Sequence, residues 1–135
     1  MKSSAARAFA PPLLLMGLIF VLSSVPGRVE EGMFRVLTEL DPTWQNLLHI
    51  PIFGLVQYLW LRGFALKGKS GPTYVALSFI LTLGYGTLDE LHQYFVPGRY
   101  ASFLDVLLNG CGAVLGALGF WLFRKISGDN PETRF

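Results

Sequence analysis

Four stretches of the chain, 8–27, 42–61, 70–88 and 106–123, contain no charged residue and are 20, 20, 19 and 18 residues long. Apolar side chains dominate each, whereas a water-exposed helix in a domain this small needs a charged face. A helix of about 20 apolar residues spans the roughly 30 Å of a bilayer's hydrocarbon core. The pattern predicts an all-α, four-helix transmembrane bundle forming one membrane domain, with spans at about 8–25, 43–61, 73–93 and 103–123.

The segments between the stretches refine this picture. Lys2 and Arg7 ahead of the first apolar run resemble the basic start of a signal peptide, but Leu22-Ser23-Ser24-Val25 is a poor cleavage site, so the run reads as a retained anchor. Pro11 and Pro12 are expected near its first turn, where a missing N–H costs little. Val29, Met33, Val36, Leu37 and Leu40 recur at helical spacing among Glu30, Glu31, Arg35 and Glu39, which predicts a short amphipathic helix lying at the interface. Asp41 is placed to cap the second span, Pro42 to open it and Pro51 to kink it. Pro97-Gly98 marks the turn before the last span, and Ser102 with Asp105 forms a capping-box-like pair at its start. Gly112 and Gly116 offer a small-residue stripe for close approach of another helix, including one from a second copy in a homo-oligomer.

Composition and charge narrow the class and orient it. With 52% hydrophobic residues and a mean hydropathy of +0.46, the chain is neither disordered nor a nucleic-acid binder. Cys111 is the only cysteine, which leaves no intrachain disulfide and no cysteine metal cluster. Lys2, Arg7, Arg62, Lys67, Lys69, Arg124, Lys125 and Arg134 fall on one side of the predicted topology, and only Arg28, Arg35 and Arg99 on the other. Because Lys and Arg are retained on the cytoplasmic side, both termini are expected there, in a multi-pass membrane protein.

Once the spans are drawn, the polar residues gather at the outer leaflet. Ser23 and Ser24 close the first span, Gln45, Asn46 and His49 begin the second, Asp89, Glu90, His92 and Gln93 end the third, and Ser102, Asp105 and Asn109 begin the fourth, with Arg99 in the turn between. Asn46 with His49, Asp89 with Gln93, Glu90 with Gln93 and Asp105 with Asn109 are three or four residues apart, so each pair shares a helix face. Ionisable groups at membrane depth cost several kcal/mol unless they find partners or face a wet cavity. The expected arrangement is a polar pocket built by all four spans.

Two kinds of chemistry suit this set. As a binding site, Ser24, Asn46, Gln93, Arg99, Ser102, Asp105 and Asn109 would contact a lipid headgroup, with Arg99 serving an anionic group or a nearby carboxylate. As an intramembrane hydrolase or transferase, the protein would use His49 as a base, with Glu90 or Asp89 as the acid. His49, Asp89, Glu90 and Asp105 are also metal-ligand types, but no recognised metal motif is present, and neither a metal nor another cofactor is expected. Plainer roles stand beside these: Asp105 as a cap, Arg99 as a tie between hairpin ends, His92 as a solvated residue, Gln57 as a structural one, and Trp44, Tyr94, Phe95, Tyr100, Trp60 and Trp121 as interface anchors.

The segment YGTLDELHQYFVPGRYASFLDVLLNGCGAVLG, residues 85–116, together with Ser23-Ser24, Pro26 and His49, resembles the VanZ-like family of small bacterial membrane proteins. The family's polar pattern maps onto Ser24, His49, Asp89, Glu90, Gln93, Arg99, Ser102, Asp105 and Asn109. Members often carry an Asp-Lys pair where this chain has Gln45 and Asn46, so no role that depends on that lysine carries over. The resemblance implies location in a bacterial cytoplasmic membrane and a link to teicoplanin resistance or envelope biology, with a cell-wall precursor or a lipoglycopeptide as further candidate ligands of the pocket, without naming a reaction.

Overall fold

The structure is a computed structural model that describes residues 4–27 and 41–128. All of its regular elements are helices: α1 (Ala5–Ser23), α2 (Pro42–Leu47), α3 (His49–Leu66), α4 (Pro72–Tyr94) and α5 (Phe103–Ile126). Because α2 runs almost directly into α3, the molecule is a four-helix bundle. Three helical segments, Ala5–Ser23, Thr43–Leu66 and Phe103–Ile126, are long and apolar enough to cross a membrane. The fourth, α4, has 23 residues and ends in its polar, acidic segment. The expected interfacial helix at residues 29–40 lies outside the described residues.

Local chemistry explains where the helices begin and break. Asp41 accepts the Thr43 amide at 2.8 Å and caps α2, as the sequence suggests. Pro51 has no N–H for the Leu47 carbonyl, and the helix is interrupted at Leu48 between α2 and α3. α1 starts earlier than expected, capped by Ser4 on the Arg7 amide at 3.4 Å. Pro11 and Pro12 therefore lie inside the helix rather than in its first turn. Pro12 leaves the Ala8 carbonyl without its intrahelical donor, and that carbonyl faces Gly63, where a Cβ would sit only 2.8 Å away.

α3 is the centre of the bundle, packed most extensively on α5 and also against α1 and α4. Glycines permit the α3–α5 contact: a Cβ on Gly54 would lie 3.0 Å from the Gly112 carbonyl, and Cβ atoms on Gly112 and Gly116 would collide with the carbonyls of Ile50 and Gly54. The small-residue stripe of Gly112 and Gly116 is thus occupied by α3 within the chain. The interface role expected of Trp60 is corrected. It is buried at 9% exposure among Phe9 and Phe64, because the face of α3 that carries it turns inward. Trp44, Tyr94, Phe95 and Tyr100 are exposed around one end, as interface aromatics would be. Exposed leucines of α1 and α5, including Leu14, Leu18, Leu115 and Leu118, suit contact with lipid.

Candidate binding site at one end of the bundle

Helix ends and turns bring the polar residues together. The Gly27 amide donates to the Pro97 carbonyl at 3.0 Å, and a Cβ on Gly27 would collide with the Gly98 carbonyl, so the segment after α1 is clamped onto the α4–α5 turn. Gly98 has φ 74°, a conformation that glycine adopts without strain. Beside this clamp lies a cavity of about 850 Å³ lined by Ser23, Gln45, Asn46, His49, Asp89, Gln93, Arg99, Ser102 and Asp105, with Phe53 among its apolar wall residues.

The two adjacent acids of α4 share Gln93 but otherwise have different partners. Asp89 accepts the Ser23 hydroxyl at 2.6 Å and the Gln93 amide at 3.0 Å, which ties α1 to α4. Glu90 turns toward α5, where its Oε2 accepts the Ser102 amide at 3.1 Å. Its Oε1 lies 3.4 Å from Gln93 Nε2 and 4.0 Å from His49 Nδ1. His49 Nδ1 donates to Asn109 Oδ1 at 2.8 Å, and its ring stacks with that of Phe53 at 5.9 Å between centroids. Asn109, with no exposed surface, fits because Gly86 lacks a side chain; a Cβ there would sit 2.7 Å from Asn109 Nδ2.

Asp105 is the residue whose plain role fails. Ser102 caps α5 through its hydroxyl, which accepts the Leu104 amide at 3.2 Å, but its own amide goes to Glu90. A capping box would give that amide to Asp105. Released from capping, Asp105 is buried at 7% exposure and its Oδ1 has no hydrogen-bond partner among the described residues; neither has Asn109 Nδ2. Leaving a buried polar group unpaired costs about 1–3 kcal/mol.

Other expected site residues are redistributed. Ser24 donates to the Phe20 carbonyl at 2.6 Å and sits 2.9 Å from His92 Nε2, on the side away from His49; Ser23 takes the place in the cavity. His92 is bonded rather than merely solvated, and its ring packs on Phe20 with centroids 4.5 Å apart. Arg99 forms no ion pair among the described residues. Its Nε and Nη2 donate to the carbonyls of Val25 and Leu22 at 3.1 and 3.3 Å, closing the C-terminal end of α1. It also lines the cavity and keeps three of its five N–H donors beyond those two bonds. Asp89 does not join His49, whose acidic neighbours are Glu90 and Asp105.

The family model described as VanZ/LLP1 matches residues 9–124, nearly the whole described bundle and every residue of the site. The chain belongs to the VanZ/LLP1 family. No curated protein and no solved structure matches it. Within this VanZ/LLP1 chain, the segment that carries the resemblance supplies both acids of α4, the Arg99 turn and the α5 face bearing Asp105 and Asn109.

Proposed function

We propose that this membrane protein is multi-pass, with both termini cytoplasmic, and that its cavity opens to the outer leaflet of a bacterial cytoplasmic membrane. There it binds the polar headgroup of a cell-envelope amphiphile: a lipid, a lipid-linked cell-wall precursor or a lipoglycopeptide. The Lys and Arg asymmetry supports the orientation. The cavity's size is in the range of small-molecule sites, and its walls combine apolar surface with a few convergent polar groups. The observation that carries the reading is the unpartnered pair, Asp105 Oδ1 and Asn109 Nδ2, buried where neighbouring polar groups are bonded. Carboxylate and amide acceptors suit sugar hydroxyls or peptide N–H groups, and the remaining donors of Arg99 suit an anionic group. The link of VanZ-like proteins to teicoplanin resistance agrees with such a ligand.

The acid/base alternative is less favoured. His49 and Glu90 do meet, but Asp89 is committed to Ser23 and Gln93, and the Ser24 hydroxyl is held away from His49. Native mass spectrometry of the detergent-purified protein with phosphatidylglycerol, a lipid-linked muropeptide precursor and teicoplanin tests the binding reading. At least one probe should bind, and Asn46→Ala should weaken it without changing the fold. Equal retention of all three by wild type and by the double variant Asn46→Ala/Asp105→Asn would contradict it.

A further inference from the structure

We propose that His49, Glu90 and Asp105 form a binding site for a divalent metal ion of the zinc or manganese type. The inference deepens the headgroup reading and rests on the same cavity. The three residues come from α3, α4 and α5, and each offers one donor atom, all within 4.8 Å of one another. Some point lies within about 2.8 Å of all three atoms so spaced, against metal–ligand bonds of about 2.0–2.2 Å. Each donor therefore needs to move inward by less than about 1 Å, within the reach of side-chain rotation.

The surroundings fit an ion better than they fit the bare cluster. Two carboxylates neutralise a divalent charge, and one imidazole with two carboxylates is a donor set for zinc or manganese that leaves coordination positions open. Asn109 accepts the Nδ1 proton of His49, an outer contact of the kind that orients a ligating ring. Ser102 fixes Oε2 of Glu90, while Oε1 lies 3.4 Å from Gln93 Nε2 and 4.0 Å from the His49 ring at Nδ1. Independently of the clustering, Asp105 presents an unpartnered oxygen on a side chain more than nine-tenths buried. The ion also answers a charge problem: Asp89, Glu90 and Asp105 outnumber Arg99 around the cavity, an arrangement that repels phosphate unless a cation stands between them. With the ion bound, a phosphate or carboxylate oxygen of the headgroup can occupy an open coordination position.

The test uses full-length protein in detergent, stripped with a chelator, returned to chelator-free buffer and titrated with Zn²⁺ alone and with Mn²⁺ alone. Bound metal is counted by mass spectrometry after gel filtration, and affinity is read by competition with a chromogenic chelator. Wild type and Cys111→Ser should bind close to one equivalent of at least one of the two ions. Asp105→Asn, which loses no hydrogen bond among the described residues, and His49→Gln should each weaken binding by at least about tenfold. Binding below about a tenth of an equivalent by wild type, or equal affinity in wild type and the folded variants, overturns the site. Headgroup binding by the stripped protein that is unchanged by added metal would remove the ion's proposed role and leave the headgroup reading standing. Metal binding without headgroup binding would do the reverse.

Discussion

The bundle holds two buried polar clusters about two turns apart along α3 and α4, the second of which also includes α5, and they are satisfied to different degrees. In the first, Gln57 donates to Ser78 and accepts from Thr82, both at 2.9 Å, while Ser78 donates to the Val75 carbonyl at 2.9 Å. All three side chains have no exposed surface, and none of their polar atoms lacks a partner. In the second, His49, Glu90, Asp105 and Asn109 join α3, α4 and α5 beside a cavity that His49 and Asp105 line, and two of their buried polar atoms have no partner among the described residues. A closed network of neutral groups needs nothing further and serves to lock α3 to α4. An open network of ionisable groups is an expensive way to hold helices together, and that cost is offset when a ligand completes it. Burial alone does not separate structural from functional polar residues here; completeness of bonding does.

The comparison can be broken at three levels, and the largest effect is expected at the α3–α5 spacing on which the open cluster depends. Gly112→Val drives a side chain into the Ile50 carbonyl and should cost about 3 kcal/mol or more of stability, separating α5 from α3. Thermal denaturation in detergent measures the loss, and headgroup binding should disappear with it. A smaller effect is expected from Gln57→Leu, which removes the acceptor of Thr82. It should cost roughly 1–2 kcal/mol, with headgroup and metal binding retained. Binding lost at unchanged stability would mean that the closed cluster belongs to the site. The smallest stability effect should come from Asp105→Asn, within about 0.5 kcal/mol, because that carboxylate accepts no hydrogen bond among the described residues.

Much of the architecture is written in the charge-free stretches, since only a helix satisfies its own backbone over that length in lipid. The position of the polar residues along the bundle axis also follows from counting residues. Helix phase is what the sequence leaves open. Adjacent residues on a helix differ by about 100° in direction, and one such step separates Ser23 from Ser24 and Asp89 from Glu90. That step decides which serine enters the cavity and which acid meets His49. The destination of the Ser102 amide, Glu90 rather than Asp105, depends on how α4 and α5 pack, and it changes Asp105 from a cap into a free ligand. The glycines of α5 announce close packing, but only the bundle itself identifies α3 as the helix they meet.

The central claim is that the open cluster is kept for binding rather than for stability, and Asp105→Asn tests it most directly. Melting temperature and retention of the headgroup probe that wild type binds are measured on the same detergent-purified sample, beside Gln57→Leu. The expected result is an Asp105→Asn protein as stable as wild type, or more so, that no longer retains the probe. A melting temperature lowered as far as that of Gln57→Leu, with probe retention intact, would contradict the claim.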